Sequence, residues 1–572
     1  MARRPGGANF LSRREFLRAI GIAPAMFIAA PLHGLVPHPP IGGGANFFSP
    51  LPLAESRFTP HYPGKPALED ILRLVPPGSD DYVTEKYAAE IAELLNTWSQ
   101  DLRSESAPGS AISGFLSPDL TASALRPIRE AELRTGFGIE VKRRFYASHP
   151  TLGRDRFLNE MAAFFAEMKG LETAEFQVVA IEAPETSSTP IKVDIRYNLV
   201  AGRSDETREQ RIGLWHTQWL RGPNGWQAVR WEATEETVSR TKAAWFADVT
   251  SAALGATDSY QRQMTHGADY WRTVLDGACG IDVYGNNGVA VADIDNDGFD
   301  DLYVCQPPGL PNRLYRNRGD GSFEDVTQNS GLGLLDATSC ALFADFENKG
   351  VQDLLVVCAA GPQLFLNRGG GKFERKADAF QFAQPPQGTF THAAIADFDG
   401  DGRLDIYFCL YSYYLGLDQY HYPAPYFDAR NGPPNFLLHN EGNARFTDRT
   451  EAAGLNAEND RYSFACAWGD FDSRGVPSLY VVNDFGRNNL YRNNGDGTFN
   501  AVSEEAHVND VGAGMSACWA DFDNHGKPDL YASNMWSAAG QRISRQKQFH
   551  AQDPEEIRSL YRRHASGNSL YR

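Results

Sequence analysis

Four aspartates in the stretch VADIDNDGFDDLYV have the types and spacing of a hard-cation site. Asp293, Asp295 and Asp297 alternate, Gly298 permits a sharp turn, Phe299 can offer its carbonyl, and Asp301 brings a fourth carboxylate. Oxygen-only ligands in this order suit calcium. Carboxylates packed this closely repel and raise one another's pKa unless a cation neutralises them. The stretch IADFDGDGRLDIYF repeats the set as Asp397, Asp399, Asp401, the Arg403 carbonyl and Asp405. The alternative is a set of Asx turns closing a hairpin without metal. A third loop offers Asp521, Asp523 and Asp529 with His525 among them. Because imidazole is a poor calcium ligand, water is expected to replace it there. Two further loops, FADFENKGVQDLLV and WGDFDSRGVPSLYV, place Lys349 and Arg474 at the third ligand position, and the second has Ser478 at the last. An internal cation is expected to replace the metal in both.

These loops belong to a repeat. Their first aspartates fall at 293, 345, 397, 470 and 521, and the longer step from 397 to 470 marks an insertion in the third copy. A second submotif follows the first four loops: NRLYRNRGDGSFEDVT from Asn312, QLFLNRGGGKF from Gln363, NFLLHNEGNARFTDRT from Asn435 and NNLYRNNGDGTFN from Asn489. It reads as strand, tight glycine turn, strand. Each copy thus supplies roughly four short strands over about fifty residues, the size of one propeller blade. FADVTSAALG from Phe246 matches FEDVTQNSGLG from Phe323, so a blade-closing strand is expected there and the boundary falls near Trp245.

Loop and YRN-GDG-F submotif, recurring in order over residues 246–572, resemble the FG-GAP or VCBS repeats of integrin alpha propellers and of bacterial cartilage-acidic-protein-like proteins associated with an ASPIC/UnbV segment. The resemblance implies a β-propeller, usually of seven blades, with calcium in blade loops, export, and mostly no assigned catalysis. No ASPIC/UnbV segment is read. About five repeats are visible, and the pattern calls for another strand beyond SGNSLYR. An incomplete ring that self-associates, swaps strands or takes a partner is therefore expected.

The fold expected is mainly β, a propeller over 245–572 preceded by a smaller α+β domain over 67–240. Val83, Tyr87, Ile91, Leu94, Trp98 and Leu102 form an apolar helical stripe, and Phe157, Met161, Phe164, Phe165 and Met168 a second. FQVVAIEA, IKVDIRYNLVAG, RIGLWHTQWL and WQAVRWEA then read as strands. The order resembles SnoaL-like or nuclear-transport-factor-like folds, which implies a pocket. His216, between Trp215 and Trp219, would need a second group to act as a base, and the sequence places none.

Residues 1–30 hold Ser12, Arg13, Arg14, Glu15, Phe16 and Leu17 before a short apolar run, which resembles a bacterial twin-arginine export signal. The run is too short for an ordinary membrane span. Residues 31–66, rich in proline and glycine, read as a linker. Export implies the periplasm, cell surface or medium. A net charge of -18 argues against nucleic acid and anionic membrane as partners. The seven cysteines form no CxxC pair and read as buried structural thiols. The insertion YSYYLGLDQYHYPAPYFDARNGPPN carries Tyr411, Tyr413, Tyr414, Tyr420, Tyr422 and Tyr426, suited to stacking on sugar or docking a protein, or else to packing on its own blade. No hydrolase, metalloprotease, P-loop or dinucleotide motif is found and no catalytic residue is assigned. The favoured reading is an exported calcium-binding module for a protein or glycan. The alternatives are a cell-envelope lyase or hydrolase, with its site in the N-terminal pocket or at the central propeller face, and a structural subunit that completes a propeller with a partner.

Overall fold

The structure is a computed structural model. It describes residues 76–572 apart from 105–110, 148, 185–188, 204–206, 224, 243–245, 267–269, 272–287 and 414–421. The expected export signal and linker lie outside the described residues. Two compact units form. One draws on Asp70–Asp248 and Trp536–Ser566, the other on Val249–Met535 and Gly567–Arg572.

The first unit lays helices against an eight-stranded sheet. Helix α1 (Val83–Arg103) turns Ala88, Ile91, Leu95, Trp98 and Leu102 inward, none more than 4% exposed. The expected stripe shares Ile91, Trp98 and Leu102 with this face, but Val83 is 45% exposed. A four-residue step overshoots a full turn by about 40°, so repeated fours drift off the core, whereas alternating threes and fours stay on it. Helix α2 (Arg154–Ala166) buries Phe157, Met161 and Phe164. Met168, expected on that helix, instead begins a strand.

The strands are β1 (Leu116–Ala122), β2 (Arg129–Gly136), β3 (Ile139–Phe145), β4 (Leu152–Gly153), β5 (Met168–Glu182), β6 (Ile191–Arg203), β7 (Arg208–Gly222) and β8 (Gly225–Thr241). The order β2-β3-β8-β7-β6-β5 is continuous, with β1 pairing β8 and β4. Alternate residues of β6, β7 and β8 fill the core, among them Ile195, Tyr197, Trp215, Trp219 and Trp231. Gly213 is required opposite Tyr197, because a Cβ there would lie 2.2 Å from the Tyr197 hydroxyl oxygen. That hydroxyl donates to Glu236 Oε2 at 2.8 Å, and Tyr146 donates to Oε1 at 2.9 Å. Arg144 completes the set at 3.2 Å, so this buried carboxylate is both paired and hydrogen-bonded.

Residues 536–566, expected within the repeat half, cluster with this first unit. Helix α3 (Ala538–Ser544) is capped by Ser537, whose Oγ accepts from Gly540 N at 3.0 Å, and packs against β5. Its Arg542 grips Glu85 of α1 by two hydrogen bonds, Nε to Oε1 at 3.0 Å and Nη2 to Oε2 at 2.6 Å. The third arm donates to the Val178 carbonyl at 2.6 Å. Helix α4 (Glu555–His564) follows.

The second unit is mainly β, built from five successive sheets. The first, second and fourth each have four strands in chain order, the third has five and the last three. Apolar layers join neighbours. Tyr303 and Leu314 of the first sheet meet Leu354 and Val356 of the second. On the opposite face of that strand, Leu355 and Val357 meet Ile406 and Phe408 of the third sheet. Tyr407 and Leu437 then pack on Leu479 and Val481, and Tyr480 and Val482 on Leu530 and Ala532. Each such aliphatic or aromatic side chain contributes on the order of 1.5–3 kcal/mol of burial. Inner strands are buried on both faces, which is why they read as near-continuous apolar runs. The strand expected from Phe246 does not form: residues 246–249 belong to no strand, Phe246 is 89% exposed, and a short helix, Thr250–Leu254, follows. Its counterpart Phe323–Asp325 is a strand because Arg313–Asn317 pairs with it.

Candidate metal centres in the repeat loops

Each loop joins two neighbouring antiparallel strands of a repeat sheet and has the same skeleton. The first aspartate accepts two backbone N–H groups from the fifth and sixth positions: Asp293 from Asp297 and Gly298, Asp345 from Lys349 and Gly350, Asp397 from Asp401 and Gly402, Asp470 from Arg474 and Gly475, and Asp521 from His525 and Gly526. The sixth position needs glycine, since its φ is positive throughout, +92° at Gly298. The fourth is also left-handed, and Asn296, Asn348 and Asn524 tolerate it better than most residues. The turn therefore forms whether or not the other ligands are acidic.

What varies is the ligand set. In the first loop Asp293, Asp295 and Asp297 each bring an oxygen within 4.8 Å of the others. Asp295 Oδ1 is buried without a hydrogen-bond partner, an orphan that a hard cation would satisfy. Asp301 stands outside this group. Its carboxylate accepts from Ile294 N at 3.0 Å and Asn317 N at 2.7 Å, tying the loop to the third strand. In the third repeat Asp397, Asp399 and Asp405 converge, while Asp401 groups with Asp399 and His439. Burial pushes Asp405 up to about 7, as expected of a carboxylate sequestered beside other acids. The oxygen donors of the first loop, and Asp397, Asp399 and Asp405 of the third, fit calcium.

In the second loop Lys349 Nζ lies 2.6 Å from Glu347 Oε2, and in the fourth Arg474 Nε lies 2.7 Å from Asp472 Oδ2. Standing at the third ligand position, these cations pair with the carboxylate of the second, and neither loop yields a three-residue ligand group among the described residues. In the fifth, Asp521, Asp523, His525 and Asp529 all converge. The imidazole expected to be supplanted by water is thus part of the cluster.

The sequence reading missed a contribution from the next hairpin. His439 Nε2 sits 3.3 Å from Asp399 Oδ2 and 3.2 Å from Asp401 Oδ2. Its position, one before the asparagine of NFLLHN, is Arg316 in the first repeat and Arg492 in the fourth, 3.9 Å from Asp295 and 3.5 Å from Asp472. Aligning the submotifs against the loops would have exposed this column. The next column is the asparagine itself. Asn367 donates to the Ile294 carbonyl at 2.8 Å, Asn440 to Phe346 at 3.1 Å and Asn493 to Phe398 at 2.7 Å, so each reaches into the loop of the preceding repeat.

Elsewhere the candidates separate. Tyr411 and Tyr426 pack with Ala429, Tyr462 and Phe485, and the Tyr411 hydroxyl donates to Asp484. These two are therefore packing residues rather than a presented surface. Tyr422 is 50% exposed, Tyr413 ends the strand Asp405–Tyr413, and Tyr414 and Tyr420 lie outside the described residues. His216 has the partner that the sequence could not place, Asp194 Oδ1 at 2.6 Å from Nδ1 across the β6–β7 register. That hydrogen bond raises the imidazole pKa. The pair stands on the sheet face opposite the buried Trp215 and Trp219. Of the described cysteines, Cys305, Cys358, Cys409 and Cys466 are buried, Cys340 is half-buried and Cys518 is exposed; none is in a disulfide.

The FG-GAP-like repeat family matches residues 293–356, 345–408 and 470–532, each match starting on the first aspartate of a loop. The chain thus contains FG-GAP-like repeats. Cartilage acidic protein 1 of Xenopus tropicalis is 33% identical over 133 residues, 23% of this chain and 20% of that relative. The Homo sapiens protein of the same name is 33% identical over 137 residues, with the same shares. The chain thus spans about a fifth of the length of the curated relatives it matches. A solved lectin of Agrocybe aegerita that recognises non-reducing terminal N-acetylglucosamine aligns over 60% of this chain and 82% of its own, at 14% identity. The TM-score of that alignment is 0.25. No helix among the described residues is long and apolar enough to cross a membrane.

Proposed function

We propose that the repeat unit is a calcium-binding β-propeller module, exported from the cytoplasm, that docks a protein or glycan. The orphaned Asp295 Oδ1, buried among three convergent carboxylates, carries the calcium reading. Calcium held by the folded loop and not by the unfolded chain raises stability by about 2.7 kcal/mol at a hundredfold excess over Kd. The melting temperature in calcium should therefore exceed that in chelator, and coincident curves would refute the reading. Asp295→Ala and Asp399→Ala should lower bound calcium measured by equilibrium dialysis, whereas Glu347→Ala, whose carboxylate is already paired with Lys349, should leave it unchanged.

Export rests on the SRREFL segment and its apolar run. Replacing Arg13 and Arg14 by lysine keeps the charge and removes the twin-arginine address. The altered protein should accumulate in the cytoplasm of a bacterial host, and undiminished periplasmic yield would refute this address. Docking of a partner is supported by the half-exposed Tyr422 and by repeats of a family often used for binding.

A further inference from the structure

A cavity of about 490 Å³ opens in the first unit where helices α1 and α2 end and strand β5 begins. Its apolar lining includes Leu102 of α1, Met161 and Phe165 of α2, and Leu171 of β5. Small residues and a bent strand keep it hollow. Ala162 and Ala166 of α2 and Gly170 of β5 stand on its wall, where larger side chains would fill it. Gly170 has φ +58°, and the β5–β6 register shifts on both sides of Leu171, so β5 begins with a bend. Trp215, Trp219 and Trp231, which fill the core of the sheet, take no part in the lining. The hollow therefore lies at the helix ends and not over the centre of the sheet.

Arg103, the last residue of α1, is the one charged side chain among the described lining residues. Its Nε donates to the Ser99 carbonyl at 3.3 Å, and no acid pairs with it among the described residues. The acids on the flanking segments are engaged elsewhere. Asp101 Oδ2 accepts from Ala111 N at 2.9 Å, Glu167 pairs with Arg211 at 3.0 Å, and Glu172 accepts from Arg208 at 2.9 Å.

We propose that this hollow binds an amphiphile with an apolar chain of medium length and a carboxylate head, the chain lying in the hollow and the head on Arg103. The volume falls in the range of small-ligand pockets, and a mostly apolar lining with one placed polar group is their usual composition. An empty apolar hollow forfeits contacts that a chain of methylenes restores. The guanidinium fork matches a carboxylate with two parallel N–H···O bonds. A net charge of -18 repels anions from the chain as a whole, so a bound carboxylate must be drawn by local charge, which Arg103 supplies.

The test uses the whole chain and isothermal titration calorimetry, with decanoate and decanol each kept below aggregation. Decanoate should bind at a single site and more tightly than decanol. Across hexanoate, octanoate and decanoate the affinity should rise about fourfold per added methylene. Arg103→Ala, at an exposed position, should weaken decanoate about fivefold or more and leave decanol unchanged. Ala162→Trp, also at an exposed helical position, should fill the hollow and remove binding of both, with the far-ultraviolet circular dichroism unchanged. Absence of binding to the wild type, decanoate affinity indifferent to Arg103→Ala, or binding that survives Ala162→Trp overturns the proposal. The metal loops lie in the other unit and are untouched by these variants, so failure of the calcium reading would be seen separately.

Discussion

Trp98→Ala is expected to cost the first unit about 3–5 kcal/mol, read as a shift in the urea midpoint by far-ultraviolet circular dichroism. Trp98 is fully buried on α1 and stands at the centre of the aromatic core. Its ring stacks on Phe176 at 4.3 Å and 7°, lies 5.9 Å from Trp215, and meets Phe115, Phe165 and Trp231 edge-on. Deleting it opens a cavity that rigid strands on one side cannot close. Trp98→Phe discriminates packing from polarity. The indole Nε1 is buried without an acceptor, so phenylalanine keeps much of the stacking and removes that unsatisfied donor. It should cost far less than alanine. Equal losses for the two would show that the stack does not hold the unit together.

Asn493→Ala should destabilise the second unit by roughly 3 kcal/mol or more, because three hydrogen bonds fail at once and leave buried partners bare. Its Nδ2 donates to Phe398 O at 2.7 Å and Pro477 O at 2.9 Å, and its Oδ1 accepts from Gly495 N at 2.8 Å. Phe398 lies between the first two ligands of the third loop, so the variant should also loosen that loop from a residue of the next repeat. Amide exchange over 397–405 should quicken while exchange over 293–301 holds. A uniform change, or none at 397–405, would mean that the asparagine stabilises its own sheet alone.

Much of this was legible because the repeat forces its residues into register. The loop aspartates, the glycine at φ +92° and the strand pairs follow from a motif that recurs five times, and a period seen that often leaves little freedom. The helix over Val83–Arg103 was legible, with Ile91, Trp98 and Leu102 buried and Tyr87 and Leu94 packed on the core's margin, but Val83 at its start drifts to solvent because four-residue steps overshoot the turn. The strands over 116–145 were not read, since Arg129–Gly136 is mostly exposed and shows no alternation. Within the loops, ligand types could be read along the chain. The placement of His439, and the diversion of Asp301 to Ile294 and Asn317, depend on a hairpin that folds back from later sequence. Sequence spacing alone cannot rank a backbone N–H against a metal as the partner of a carboxylate.

The short segment 536–566 leaves the last repeat sheet, joins the first unit, and is followed by Ser569–Tyr571, the outermost strand of that sheet. Its Arg542 meets Glu85 across a separation of 457 residues. On a ribosome, neither unit can be finished until residues 536–571 have been made. Early-made helix α1 must wait with its α3-binding side uncovered, and the last sheet must wait for its edge. A nascent chain of this design offers chaperones and proteases two unfinished substrates until residues 536–571 are made, and the two units are then completed by the same short stretch.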